Sequence, residues 1–162
     1  MFQNNKISKL IGLRYPIFQG GMAWASSGRL ASAVSNAGGL GILGCAGREA
    51  EWVLNEIKYI KNNTLNPIGL NVALNDKSAV DIVELAVEQG IKYFTMGGAN
   101  TYLKLISRFS KDVLIIPIVG SAIEAKLAER AGAKSIICEG QESGGSIGRL
   151  SLFSLLPQVV DA

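Results

Sequence analysis

The chain has 162 residues, enough for one domain with a real core, and 48% of them are hydrophobic against 18% charged, which excludes a disordered chain. Its net charge of +3 is spread thinly, and no basic cluster interleaves with aromatics, so the electrostatic footprint of nucleic-acid binding is missing. It contains no histidine, which removes the Ser-His-Asp triad, the commonest general base and most zinc chemistry together.

In chain order, a short amphipathic helix carrying Ile7, Leu10 and Ile11 opens the sequence. Short apolar runs then alternate with helical patterns. The runs are Pro16 to Gln19, Leu40 to Leu43, Ile68 to Val72, Lys92 to Thr95, Val113 to Val119 and Ser135 to Cys138. Their continuous rather than alternating hydrophobicity predicts parallel strands covered on both faces. Between them the apolar period changes to about 3.6. It places Leu30, Val34 and Ala37 on one helix face, then Val53, Ile57 and Ile60, then Val80, Val83 and Val87, and finally Ile123, Leu127 and Ala131. Ser121 with Glu124 makes a capping box, and Gly38, Gly90 and Gly132 each fall where a left-handed residue ends a helix.

Six strands joined by helices imply right-handed βαβ units in a parallel sheet, either open and doubly wound or curling into a barrel. Periodicity alone does not choose. No linker or composition shift divides residues 1–162, which read as one domain. The longest aliphatic stretch is too short to span a bilayer, and no secretory leader is recognisable, so a membrane is not an expected partner. Cys45 and Cys138 form no CxxC pair, and a reducing cytoplasm is the expected compartment.

In either architecture a ligand binds at the carboxyl ends of the strands. There the sequence concentrates glycine: Gln19-Gly20-Gly21-Met22-Ala23-Trp24, Gly44-Cys45-Ala46-Gly47, Met96-Gly97-Gly98-Ala99-Asn100, Gly120-Ser121, and Glu139-Gly140-Gln141-Glu142-Ser143-Gly144-Gly145-Ser146-Ile147-Gly148. Any one glycine here could serve only a tight turn. Five such turns on one rim suit a flat or phosphorylated ligand approached closely by backbone. Asn71 lies inside an apolar strand and needs a hydrogen-bond partner, either protein backbone or the polar edge of a bound ring. Glu139 raises the same question, with a helix N-terminus as the alternative partner. Cys45 has no histidine to activate it and reads as a small filler. Trp24 and Trp52 read as packing groups, although Trp24 lies in the rim loop and could wall a pocket.

The segments Tyr15 to Trp24, Leu30 to Ile42, Gly69 to Val72, Ile116 to Val119 and Glu139 to Gly148 together resemble the flavin-dependent enoyl-acyl carrier protein reductases, which are grouped with the nitronate monooxygenases. The resemblance covers nearly the whole chain. It implies a TIM-type (β/α)8 barrel, incomplete here at about six strands, holding FMN at its mouth near Gly21, Met22, Asn71, Glu139, Gly144 and Gly145. It further implies NAD(P)H as reductant and an enoyl thioester on acyl carrier protein as substrate. For the monooxygenase members it implies alkyl nitronates oxidised with oxygen.

The sequence departs from that family in two ways. Where the family reads Gly-Gly-His, with the histidine as catalytic acid or base, this chain has Ser146. A serine hydroxyl does not take up a proton near neutral pH, and acid-base help of roughly 10²- to 10⁴-fold is forfeited. A closed barrel also needs eight βα units and about 250 residues. The resemblance assigns the FMN phosphate loops to strands seven and eight. The chain is therefore expected to be a fragment, to pair with a second copy or a complementing C-terminal chain, or to be a non-catalytic relative.

Overall fold

The computed structural model describes residues 4–98, 102–109, 111, 113–145 and 147–162. Its elements are α1 (Lys6–Ile11), α2 (Gly28–Ala37), β1 (Gly41–Gly44), α3 (Ala50–Asn63), β2 (Ile68–Ala73), α4 (Ala79–Glu88), β3 (Tyr93–Gly97), α5 (Tyr102–Phe109), β4 (Leu114–Val119), α6 (Ala122–Arg130), β5 (Ile137–Cys138) and α7 (Leu152–Val160). The strands form one sheet in the order β1-β2-β3-β4-β5, every neighbouring pair parallel. A doubly wound sheet reverses its strand order at a switch point, whereas this order runs straight on, as a βα barrel requires.

Strand alternation sorts the side chains into two layers. Leu43, Leu70, Val72, Phe94, Met96 and Ile115 point outward into a core shared with α2 to α6. Leu40, Ile42, Ile116 and the partly buried Tyr93, Leu114 and Ile137 point the other way, onto the concave face, where Ile11 and Leu13 join them. The Tyr93 hydroxyl donates to the Ile11 carbonyl at 3.2 Å and ties α1 to that face.

One expected strand is absent. Pro16 to Gln19 forms a single parallel bridge, Phe18 with Leu40, rather than a sixth strand. The ladder begins normally, with the Leu40 amide donating to Ile17 O at 2.8 Å and the Gln19 amide to Leu40 O at 3.0 Å. The next donor, the Ile42 amide, bonds instead to the Gln19 side-chain Oε1 at 3.1 Å. A side chain thus replaces the backbone carbonyl just as the chain leaves for the Gly20-Gly21 loop, and pairing stops. At the other end, β5 has no partner beyond β4 among the described residues.

Gly38, Gly90 and Gly132 have φ of 102°, 79° and 98°, the expected left-handed helix ends. Ser121 Oγ accepts from the Glu124 amide at 3.2 Å, and Glu124 reaches back to the Gly120 amide at 2.7 Å. Three helix faces differ from expectation; in α4 the buried residues are Ala79, Ile82, Val83 and Ala86, while Val80 and Val87 are only partly buried. In α2 the buried face is Gly28, Ala31, Ser32 and Ser35, not Leu30, Val34 and Ala37. The cause is close approach: β1 comes so near that a Cβ on Gly41 would overlap the Ala31 backbone, and only small residues fit. Ser35 Oγ is used there as well, donating to Pro67 O at 2.7 Å and accepting from the Gly41 amide at 3.1 Å. In α6 the buried residues are Ala125 and Ala128, and Ile123 is exposed.

Candidate functional site at the strand tips

The register sets Gly44, Asn71, Thr95 and Ile116 side by side across β1 to β4. By alternation this row faces the concave side, because its neighbours Leu43, Leu70, Phe94 and Ile115 face the helices. Asn71 finds its partner within the row: its Nδ2 donates to Thr95 Oγ1 at 2.9 Å and lies 3.4 Å from Thr95 O. Its Oδ1 accepts no hydrogen bond among the described residues.

The loop after the Phe18 bridge folds over this row. Ser26 Oγ accepts from the Met22 amide at 2.9 Å and from Gln19 Nε2 at 2.8 Å, knotting residues 19–26 together. Gly21 is thereby pressed onto Asn71, where an added Cβ would lie 2.5 Å from Cγ and 2.7 Å from Oδ1. The Met22 backbone lies against Gly44, while the Met22 side chain is exposed. Gly21, Met22 and Asn71 are thus brought together.

Glu139 follows β5, and its amide continues the ladder by donating to Val119 O at 2.9 Å. It continues the inward parity of Ile137. It lines a cavity of about 570 Å³ that runs along the tips of β3, β4 and β5 and includes Gly98, Tyr102, Ile118, Gly120 and Arg149. That volume suits a small-molecule ligand. Burial raises the Glu139 carboxyl above the usual carboxylate range, and a hydrogen bond with Ser143 partly offsets the rise. Its expected alternative partner, a helix N-terminus, is therefore not the group it bonds.

Gly144 and Gly145 lie further along the same loop, exposed, with open space where a Cβ would stand. An added Cβ on either would meet neither Asn71 nor Glu139. Ser146, at the position of the family histidine, lies outside the described residues, as do Ala99 and Asn100. Cys45 is 2% exposed, and burial pushes its thiol up to about 12, which fits the reading of it as filler.

Three residues of this rim escaped the sequence reading. Thr95 was signalled by its position, a hydroxyl in an apolar run two residues before a strand tip, but its pairing with Asn71 depends on register. Tyr102 opens α5, lines the cavity and is 3% exposed, and its buried hydroxyl has no hydrogen-bond partner among the described residues. Burial and the nearby Glu124 carboxylate raise its phenol, so it stays neutral and can only donate or accept a hydrogen bond. Arg48, in the turn after β1, carries the aromatic stack described below.

Consecutive parallel strands wrapped by helices, with polar and glycine residues gathered at the carboxyl tips, define the front arc of a (β/α)8 barrel and its ligand rim. Within that class the chain belongs to the nitronate monooxygenase family, whose model matches residues 4–162. It is 36% identical over 157 residues to a Mycobacterium tuberculosis protein named (3aS,4S,5R,7aS)-5-hydroxy-7a-methyl-1-oxo-octahydro-1H-indene-4-carboxyl-CoA dehydrogenase, covering 96% of this chain and 44% of that protein. It is 27% identical over 209 residues to a probable nitronate monooxygenase of Staphylococcus aureus strain Newman, covering 99% of this chain and 58% of that one. Among solved structures, FabK from Thermotoga maritima superposes with a TM-score of 0.92 at 37% identity, over 96% of this chain and 50% of that one. The chain thus spans about half the length of these relatives. No helix among the described residues is long and apolar enough to cross a membrane.

Proposed function

We propose that this chain forms the flavin-holding face of an FMN-dependent oxidoreductase that uses NAD(P)H to reduce an enoyl thioester. The observation that carries the reading is the Gly21-Asn71-Thr95 arrangement: a bare backbone and an oriented amide with an unspent Oδ1, on the concave side of strand tips. Small residues at those tips, Gly44, Ala73, Gly97 and Gly120, leave room for a flat ring. The donor set also fits, because a flavin's polar edge offers both N-H and C=O groups. FMN, when bound, supplies the redox chemistry.

The residues of this chain orient and enclose. Thr95 fixes the Asn71 amide so that its oxygen is free to accept from a ring N-H. Gly21 holds the covering loop close. Glu139, with its raised affinity for a proton, and neutral Tyr102 line the adjoining cavity and contact the substrate side. Gly144 and Gly145 offer backbone amides in an exposed loop. Ser146 can donate a hydrogen bond but cannot serve as the acid or base at neutral pH. The thioester reading is supported by the resemblance of Tyr15 to Trp24 to the enoyl reductases, by the likeness to FabK, and by a relative whose named substrate is a carboxyl-CoA.

A second reading, oxidation of alkyl nitronates with oxygen, is favoured by the family match and by the Staphylococcus aureus relatives. In either case further βα units, in the same polypeptide, a second copy or a complementing chain, would complete the barrel. The test starts with protein purified in excess FMN and inspected for bound flavin absorbance. NAD(P)H-dependent reduction of crotonyl thioester is then compared with oxygen uptake on an alkyl nitronate. Thioester turnover supports the first reading, and oxygen uptake the second. Absence of flavin and of both activities would leave a non-catalytic barrel segment.

A further inference from the structure

At the edge of the rim the Arg48 guanidinium carbon stands 4.0 Å from the ring centroid of Trp24 and 4.2 Å from that of Trp52. Two indoles thus pack on the one cation. Its Nε is buried and has no hydrogen-bond partner, and no carboxylate pairs with it among the described residues. Asp76, which contacts this turn, accepts from the Gly47 amide at 2.9 Å. With two indoles against it and Nε buried without a partner, the terminal nitrogens are the remaining outlet for its charge, and they form a planar fork.

The stack is held at a conformational cost. Trp24 is 72% exposed and is the sole described non-glycine residue with positive φ, at 68°. Such a backbone is unfavourable for a bulky L-residue, and an indole so exposed recovers little by burial. Strain of this kind is typical of ligand clamps. The turn Cys45 to Arg48 follows β1, whose last residue, Gly44, lies against the Met22 backbone, and the Cys45 amide donates to Asn71 O at 3.0 Å, so the turn that carries Arg48 starts beside the Asn71 row.

We propose that Arg48, clamped between Trp24 and Trp52, binds a phosphoryl group on a ligand of this rim. The proposal rests on the oxidoreductase reading for its choice of anion, since the phosphopantetheine handle of an acyl thioester and a nicotinamide dinucleotide both carry phosphoryl groups. A guanidinium fork takes two phosphoryl oxygens side by side.

The two indoles are the only tryptophans in the chain, so intrinsic fluorescence reports this site alone. Flavin-free protein is titrated with 4′-phosphopantetheine, with pantetheine and with ADP-ribose, exciting at the red edge of the indole band. A saturable change with phosphopantetheine identifies the thioester handle, and one with ADP-ribose identifies the dinucleotide; pantetheine is expected to give none. Arg48→Gln is expected to weaken binding about 10-fold or more, with an unchanged melting temperature. Arg48→Lys, which keeps the charge and loses the planar fork, is expected to fall between Gln and wild type. No saturable response to either phosphorylated probe, an equal response to pantetheine, or full affinity in Arg48→Lys would overturn the proposal. Flavin absorbance is measured separately on the same protein, so absence of flavin counts against the oxidoreductase reading and leaves the phosphoryl result standing.

Discussion

Gly21 and Asn71 occupy each other's space so closely that no side chain fits between them: a Cβ on Gly21 would lie 2.5 Å from the Asn71 Cγ. They are 50 positions apart in sequence and meet because the loop after the Phe18 bridge folds back over β2. Gly21→Ala is therefore expected to cost about 1 to 3 kcal/mol through overpacking and to push the Asn71 amide off Thr95. Urea denaturation reads the first effect and FMN titration the second. Unchanged stability and unchanged flavin affinity would refute the contact.

Thr95→Val tests the other side of the same amide. It removes the 2.9 Å partner of Asn71 Nδ2 and is expected to destabilise by about 1 kcal/mol, the net worth of a neutral hydrogen bond. Thr95→Ser, which keeps the hydroxyl, is expected to restore flavin affinity.

The concave row explains which parts of this architecture were legible. Strand and helix rhythm, the Ser121 cap and the glycine helix ends were readable because each is set by neighbours within a few residues. Pro16 to Gln19 was not, because its pairing ends when the Gln19 side chain captures the Ile42 amide, a contact 23 positions away. The buried face of α2 was misjudged for a related reason. Apolar periodicity favours Leu30 and Val34, but the approach of Gly41 to Ala31 rewards small residues, and that distance is tertiary. At the site, the glycine loop around Gly21 and the lone amide of Asn71 stand out in the sequence by composition and position, while a flavin role for Gly21, Met22 and Asn71 is what the family resemblance implies. Thr95 and Tyr102 were missed because partnership across a sheet and an unpartnered buried hydroxyl are visible only in three dimensions.

Glu139 predicts a pH dependence with a definite sign. Its folded-state pKa is raised, mainly by burial, so the stabilisation linked to its neutral form is complete below the ordinary carboxylate value and is lost as pH rises through the folded-state pKa. Glu139→Gln, uncharged throughout, is expected to melt higher than wild type at neutral pH, with the gap closing as pH falls below the ordinary carboxylate pKa. A gap that is independent of pH, or one that widens on acidification, would contradict this environment.

Cys45 should be chemically silent in the native protein. With its thiol pushed up to about 12, about one molecule in 10⁴ is thiolate at pH 8, and the sulfur is also shielded from reagent. Iodoacetamide followed by peptide mass spectrometry is expected to label Cys45 only after unfolding. Rapid native labelling at Cys45 would show the outer core around β1 to be open.

Tyr102→Phe removes a buried hydroxyl that has no described partner, and so should leave the ligand-free protein as stable or slightly more stable. If the hydroxyl serves a ligand in the 570 Å³ cavity, the same change weakens substrate binding while flavin affinity is unaffected. A fall in melting temperature without any change in binding would instead assign Tyr102 to the fold.

The most direct measurement of the central claim is chemical-shift mapping of the ¹⁵N-labelled chain during titration with FMN. The largest shifts are expected at the backbone amides of Gly21, Met22 and Thr95 and at the Asn71 side-chain amide, with smaller ones around Glu139, and Asn71→Ala should suppress them. Saturable shifts confined to other surfaces, or none at all, would contradict a flavin seat on these strand tips.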